Sequence, residues 1–167
     1  MKKINSFKLS HLFIAFIIFG LSSVGVAQSA SGEKTANLGL SLGYGIGLNA
    51  ALDVNVAPNI SVGGIGTFSN RNFGFGVNYS VFSVGARGAY HLGEILSEPL
   101  SLDTDKHDPY IGVGLIYTGV TSNGYSGTFG GLNFGGVAGY RYFFKDKLGI
   151  YAEGGFPLSS IGLTFKL

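Results

Sequence analysis

Between residues 38 and 56 the chain alternates with a period of two. Leu38, Leu40, Leu42, Tyr44, Ile46, Leu48, Ala50, Leu52, Val54 and Val56 hold the even positions, and small or polar residues hold the odd ones: Gly39, Ser41, Gly43, Gly45, Gly47, Asn49, Ala51, Asp53 and Asn55. Side chains alternate faces along a β-strand, so this segment has one apolar and one small, polar face, a pattern no helix keeps. It is too long for one ordinary strand of about five or six residues. It predicts two longer strands, 36–46 and 49–56, joined by a three-residue turn near Gly47, because an odd-numbered turn holds the alternation in phase.

The same rhythm continues. Ala57-Pro58-Asn59 predicts a tight turn, since proline cannot donate to a ladder. A third strand follows over 60–69, with a bulge expected at Gly63-Gly64 where the parity slips. Strand four covers 77–92, with Phe82, Val84, Ala86, Tyr90 and Leu92 opposite Ser83, Gly85, Arg87 and His91. The segment 93–108 is the longest irregular connection. Strand five (109–120) sets Ile111, Val113, Leu115 and Tyr117 against Gly112, Gly114 and Thr118. Strand six (129–143) sets Leu132, Phe134, Ala138, Tyr140 and Tyr142 against Asn133, Gly135, Gly139 and Arg141. Strand seven (148–155) follows a charged turn at Lys145-Asp146-Lys147, and Phe156-Pro157-Leu158 turns into a last strand carrying Ile161, Leu163, Phe165 and Leu167.

The first residues change the picture. Lys2, Lys3 and Lys8 precede an apolar run over 12–21 and a small-residue stretch, the pattern of a secretory signal peptide cut after Ala27 or after Ala30. The run is shorter than the roughly 20 residues a spanning helix needs. No Cys follows it, so a lipid anchor at this site is excluded, and with no Cys in the chain so are disulfides and thiolate metal sites. Without the leader, eight basic residues face nine acidic ones, a formal charge of −1. No basic patch is interleaved with aromatics, so nothing favours nucleic acid.

Residues 28–167 are expected to form one domain. Charged residues are only 12% of the chain, about half the usual share, while glycine reaches 29 of 167 positions. A charge-poor chain with strands and no apolar helix fits a barrel in lipid, where only helices and closed barrels satisfy their backbone. The fold class expected is therefore all-β, an eight-stranded antiparallel up-and-down transmembrane β-barrel. An even strand count puts both termini on one side, the periplasm in outer-membrane barrels. Connections after strands two, four and six are then periplasmic, though 93–108 is long for such a turn.

Asp53, Arg87, Arg141, Glu153 and Lys166 all fall on the Gly/Ser/Asn phase. A Lys or Arg facing lipid at the midplane costs about 2–4 kcal/mol, so that phase is the inside. The alternative, a soluble secreted barrel binding apolar ligands, would leave an outer face of Gly and Ser with few charges, which is poorly soluble.

Four segments carry a family resemblance: Ala86-Arg87-Gly88-Ala89-Tyr90-His91-Leu92, Asp108-Pro109-Tyr110-Ile111-Gly112, Gly139-Tyr140-Arg141-Tyr142-Phe143 and Tyr151-Ala152-Glu153-Gly154-Gly155. Together they resemble the small outer-membrane β-barrel proteins common in the Bacteroidota, within the broad OmpA/OmpX-like group. The resemblance spans nearly all of 28–167. It implies residence in the bacterial outer membrane, contact with outer-membrane lipids, and passage through the barrel-assembly machinery on insertion. Phe165 resembles part of an assembly signal, although such barrels usually end in an aromatic where Leu167 stands. No peptidoglycan-binding domain is expected after the barrel.

Asp53, Arg87, Arg141 and Glu153 each fall a few residues inside the periplasmic strand ends and could form one luminal layer of paired charges, with Lys166 on the same phase. The layer is either a structural plug, since eight strands leave an interior that side chains fill, or the gate of a narrow porin-like channel. His91 and His107 map to the periplasmic side, where a His caps a strand or lies in a turn; a lipid A deacylase would need its His near the outer leaflet. Asp103, Asp105, His107 and Asp108 read as a solvated acidic turn, because the calcium-loop pattern wants Gly and Glu where Asp108 and Gly114 stand. No catalytic, cofactor or metal site is expected. Gly130-Gly131 and Gly135-Gly136 lie in a strand with no helix to hold phosphate and read as close-packing or bulge sites. Aromatic girdles are expected at the periplasmic rim (Tyr90, Tyr110, Tyr142, Phe144, Phe165) and the outer rim (Tyr44, Phe68, Tyr79, Tyr117, Phe156). The function expected is a structural or surface role without catalysis, with contacts to an extracellular partner through the outer loops.

Overall fold

The computed structural model describes residues 32–72, 78–122 and 125–167. The expected leader and both expected cleavage positions lie outside them. Eight strands follow in chain order: β1 Lys34–Ser41, β2 Gly47–Ala57, β3 Ile60–Asn72, β4 Asn78–His91, β5 His107–Ser122, β6 Tyr125–Lys145, β7 Leu148–Phe156 and β8 Ser160–Lys166. Each pairs antiparallel with its neighbour, and β1 closes on β8 from Thr35↔Lys166 to Ser41↔Ser160. The fold is a closed, all-antiparallel, up-and-down β-barrel, as the alternation predicts. No helix among the described residues is long and apolar enough to cross a membrane.

The two phases take opposite faces. Leu40 and Leu163 are 47% and 45% exposed on the outside, as are Val62, Val84, Val113, Leu132, Phe134 and Ile150. Asn37, Asn49, Thr67, Ser83 and Thr164 are buried on the inside. An ordinary soluble domain hides its leucines and wets its serines. This barrel does the reverse.

Several boundaries differ from the sequence reading. The first hairpin turns through residues 42–46, with Ser41 opposite Gly47, because Gly45 takes a positive φ that ends the β1–β2 ladder, while Leu42 N–H continues the β1–β8 side by donating to Ser159 O. The expected bulge at Gly63-Gly64 is not there: Asp53↔Gly63 and Leu52↔Gly64 pair in unbroken register, and β2–β3 shifts instead between Asn55 and Ala57. What looked like a slip of parity is Ile65, an apolar side chain on the inner face. It forms a buried cluster with Ala51, Ile116 and Leu158, the last from the β7–β8 connection. The 93–108 connection is not wholly irregular. It contains a helix, α1 (Gly93–Leu100), ended by Ser101 in the left-handed region.

The strands are unequal, and this shapes one end. Pairing of β6 with β5 runs to Ser122↔Tyr125, whereas its pairing with β7 stops at Gly136↔Phe156. Likewise β3–β4 pair as far as Asn72↔Asn78, beyond the last β2–β3 pair at Gly47↔Ser69. The β3–β4 and β5–β6 hairpins therefore project past the barrel wall at this hairpin end. The opposite, terminal end carries the start of β1, the end of β8, α1, and the turns at 58–59 and 146–147.

Candidate functional site: a luminal network of charges

Inward positions on seven strands converge on one hydrogen-bonded network. Asp53 (β2) faces Gly63 (β3), which faces Arg87 (β4), so the acid and the base lie two strands apart with glycine between them. That glycine is required for space: a Cβ at Gly63 would stand 2.2 Å from Leu52 O and 2.3 Å from Asp53 Oδ1. Through the gap the Arg87 guanidinium donates twice to Asp53, Nε to Oδ1 at 2.8 Å and Nη2 to Oδ2 at 2.6 Å. Its remaining Nη1 donates to Glu153 Oε1 on β7 at 2.7 Å.

Arg141 (β6) extends the network. Its Nη2 donates to Asp53 Oδ2 at 2.6 Å and its Nη1 to Asp108 Oδ2 on β5 at 2.9 Å. Tyr110 donates to Glu153 Oε1 at 2.5 Å, and the Arg141 guanidinium carbon lies 4.4 Å from the Tyr110 ring centre. The ring fits because Gly139 is opposite it; a Cβ there would meet Tyr110 Cζ at 2.3 Å. Ser160 (β8) donates to Glu153 Oε2 at 3.1 Å. At the terminal end, His91 Nδ1 lies 2.6 Å from Asp108 Oδ1 and its Nε2 2.9 Å from Ser61 Oγ on β3. Arg141 and Tyr110 are 1% and 2% exposed.

Burying charge without partners is prohibitive, and burying it in hydrogen-bonded pairs is tolerated. Here two guanidiniums are shared among three carboxylates, each carboxylate bound by at least one of them. The network fills the interior at one level, and the cluster of Ala51, Ile65, Ile116 and Leu158 fills it at another. Asn49 donating to the Tyr151 hydroxyl at 2.7 Å, and Thr164 donating to Asn37 Oδ1 at 2.8 Å, add further luminal contacts.

Of the charges picked out from sequence, Asp53, Arg87, Arg141 and Glu153 come together. Lys166 does not. It lies on the inward phase but at the rim, 3.3 Å from Glu33 and over the Phe143 ring, because β8 ends there. For three members the sequence pattern predicts a different place. Asp108 belongs to the luminal network rather than to the solvated turn, since β5 begins at His107 and carries it inward. Tyr110 is luminal rather than part of the rim girdle; its even number in β5, opposite in phase to Ile111, was the available signal. His91 is engaged on both ring nitrogens rather than simply capping a strand.

The rest of the acidic connection stays outside. Asp103 pairs with Lys106 at 2.9 Å in the open, and the hydrogen bond from that ammonium holds the Asp103 carboxyl below its ordinary range. His107 contacts the Tyr140 hydroxyl at the terminal rim. Gly130 packs under the Tyr117 ring and Gly135 against Phe156 O and Pro157, in continuous register with no bulge. Among the described residues no group of three or more His, Asp or Glu side chains is arranged to hold a metal ion.

An apolar exterior around a charged, filled interior defines the class: this is the fold of the transmembrane β-barrels. No protein-family model matches the chain, and no curated protein matches its sequence. Solved structures match it in fold. The N-terminal β-barrel domain of Pseudomonas aeruginosa OprF is similar with a TM-score of 0.60 at 11% identity, covering 82% of this chain and 98% of that one. The outer membrane protein OprG from Pseudomonas aeruginosa gives 0.56 at 10% identity, covering 82% and 96%. The Yersinia pestis outer membrane protein Ail, in a phospholipid bilayer nanodisc, gives 0.53 at 16% identity, covering 81% and 99%.

Proposed function

We propose that this chain is a small integral outer-membrane barrel with a closed lumen, whose role is structural or surface-borne and not catalytic. The observation that carries this reading is the Asp53–Arg87–Glu153 bridge, which spans the interior between β2, β4 and β7. Arg141 and Asp108 widen the same layer. Outer-membrane residence is supported by the fold of OprG and Ail and by the leader-like first residues. In this orientation the terminal end faces the periplasm, and the projecting β3–β4 and β5–β6 hairpins offer an outside partner their edges. Insertion would follow the barrel-assembly machinery. An origin in the Bacteroidota rests on the four sequence segments alone.

Planar-bilayer recording tests the closed lumen. The refolded barrel should add no conductance steps above the bare membrane. Regular steps that scale with salt would replace this reading with the narrow porin-like channel.

One observation favours a second reading. Ser61 Oγ, His91 and Asp108 are hydrogen-bonded in the order of a Ser–His–Asp hydrolase. Against it, Ser61 is 1% exposed on the inner wall, and Asp108 is shared with Arg141. A nucleophile needs a neighbouring position for the reacting carbonyl and donors for its oxyanion, and the strand amides around Ser61 are committed to the ladders with β2 and β4. A fluorophosphonate probe applied to the folded barrel separates the two: no adduct supports the structural role, and an adduct at Ser61 establishes the hydrolase.

A further inference from the structure

The helix α1 is an unusual feature to find between two barrel strands, and its sequence divides cleanly. On a wheel of 100° per residue, Ile95, Leu96, Pro99 and Leu100 occupy one arc, and Gly93, Glu94, Ser97 and Glu98 the other. None of its residues is buried: Ile95 is 56% and Leu100 60% exposed. The polar arc is the one tied to the barrel. Asn59 in the β2–β3 turn donates to Glu94 Oε2 at 2.8 Å, while Ser97 Oγ donates to Glu94 O within the helix. On the apolar arc Leu96 is half-buried, while Ile95, Pro99 and Leu100 stay exposed.

What covers that arc follows from its position. The helix follows β4 after Leu92 and leads back to β5, and on β3, β4 and β5 the side chains of Ile60, Tyr90 and Ile111 form a cross-strand row of exposed apolar groups at the terminal rim. That row is the edge of the outward apolar belt. The exposed arc of α1 is continuous with it along the chain. An amphipathic helix at such an edge buries its apolar face about 5–10 Å into the headgroup boundary, with its acids kept in water.

We propose that α1 is an interfacial helix, lying in the phospholipid headgroup region at the terminal end of the barrel, with Ile95, Leu96, Pro99 and Leu100 against the acyl boundary. It extends the apolar belt and fixes how deep the barrel sits. The proposal rests on the reading that the barrel is inserted in a bilayer, so its test carries an independent check of that reading.

The chain contains no tryptophan, so single substitutions report one position each. I95W, L100W, E98W and L163W variants of the full barrel are refolded into phosphatidylcholine vesicles with and without brominated acyl chains. I95W and L100W should emit at short wavelength and be quenched by the brominated lipid, while E98W emits at long wavelength and is quenched by aqueous iodide. L163W, on the outer wall, should be quenched by bromine throughout. If L163W is quenched and I95W and L100W behave like E98W, the helix is not interfacial. Blue emission at 95 and 100 that depends on protein concentration and not on bromine would assign the arc to a second copy, and overturn the proposal. If L163W itself escapes the bromine, the bilayer reading fails first.

Discussion

Arg87 grips Asp53 with two parallel hydrogen bonds, 2.8 and 2.6 Å long, across a glycine that leaves no room for any other residue. The pair joins β4 to β2 over the top of β3, and the third arm of the same guanidinium reaches β7. A planar fork is what this requires, since an ammonium is a point charge and cannot hold two acids in fixed directions.

Arg87→Met should therefore destabilise the barrel by about 3–5 kcal/mol, because it leaves Asp53 and Glu153 short of a buried partner. Arg87→Lys should lie between the two, keeping charge and losing the fork. Urea titration in phospholipid vesicles measures both. Equal stability of all three forms would mean the network is hydrated and the lumen open.

Two glycines on strand interiors should respond oppositely to the same methyl group. Gly139→Ala places a Cβ inside the Tyr110 ring and pushes its hydroxyl from Glu153, whereas Gly154 has open space around it on the outer face. Glycine in a strand interior is weaker than alanine by roughly 0.5–1 kcal/mol, so Gly154→Ala should be neutral or slightly stabilising and Gly139→Ala clearly destabilising. Thermal unfolding of the two variants side by side checks the sign.

Leu158 comes from a connection and yet is buried against Ala51, Ile65 and Ile116. Leu158→Ala should cost about 2–5 kcal/mol, the range for a buried leucine. It should leave the protein non-conducting, because the charge layer remains. Conductance in this variant would place the barrier at the apolar cluster instead.

On the outer wall, Leu163→Arg should lower folding efficiency and cost about 2–4 kcal/mol near the midplane. Leu163→Phe should be silent. Folding yield into vesicles, read from the shift of unheated protein on a detergent gel, separates them.

Much of this was legible in the sequence, because a strand's period of two carries both the fold and the choice of face. Asp53, Arg87, Arg141 and Glu153 could be placed inside from parity alone. Parity also held for Asp108 and Tyr110, but the chemistry of the neighbouring residues masked it: Asp108 ends an acidic run, and Tyr110 resembles a rim aromatic. Lys166 shows the limit of phase without depth, since a residue can face inward and still end at the rim. Ile65 shows the converse, a residue whose apolar side chain suggests a bulge when the lumen simply needs filling. Leu158 left no periodic trace, being outside any strand, and α1 was hidden because eight residues are too few for a helical pattern to stand out.

Which face meets lipid is the central question for this barrel, and the absence of cysteine from the chain makes it directly measurable. Single cysteines at Leu40, Leu163, Thr67 and Ser83 are spin-labelled in the vesicle-bound barrel, and collisions with oxygen and with a water-soluble nickel chelate are compared. Labels at 40 and 163 should collide with oxygen and not with nickel, and labels at 67 and 83 should be shielded from both. Nickel-accessible labels at 40 and 163, with oxygen-rich surroundings at 67 and 83, would turn the barrel inside out and contradict the account.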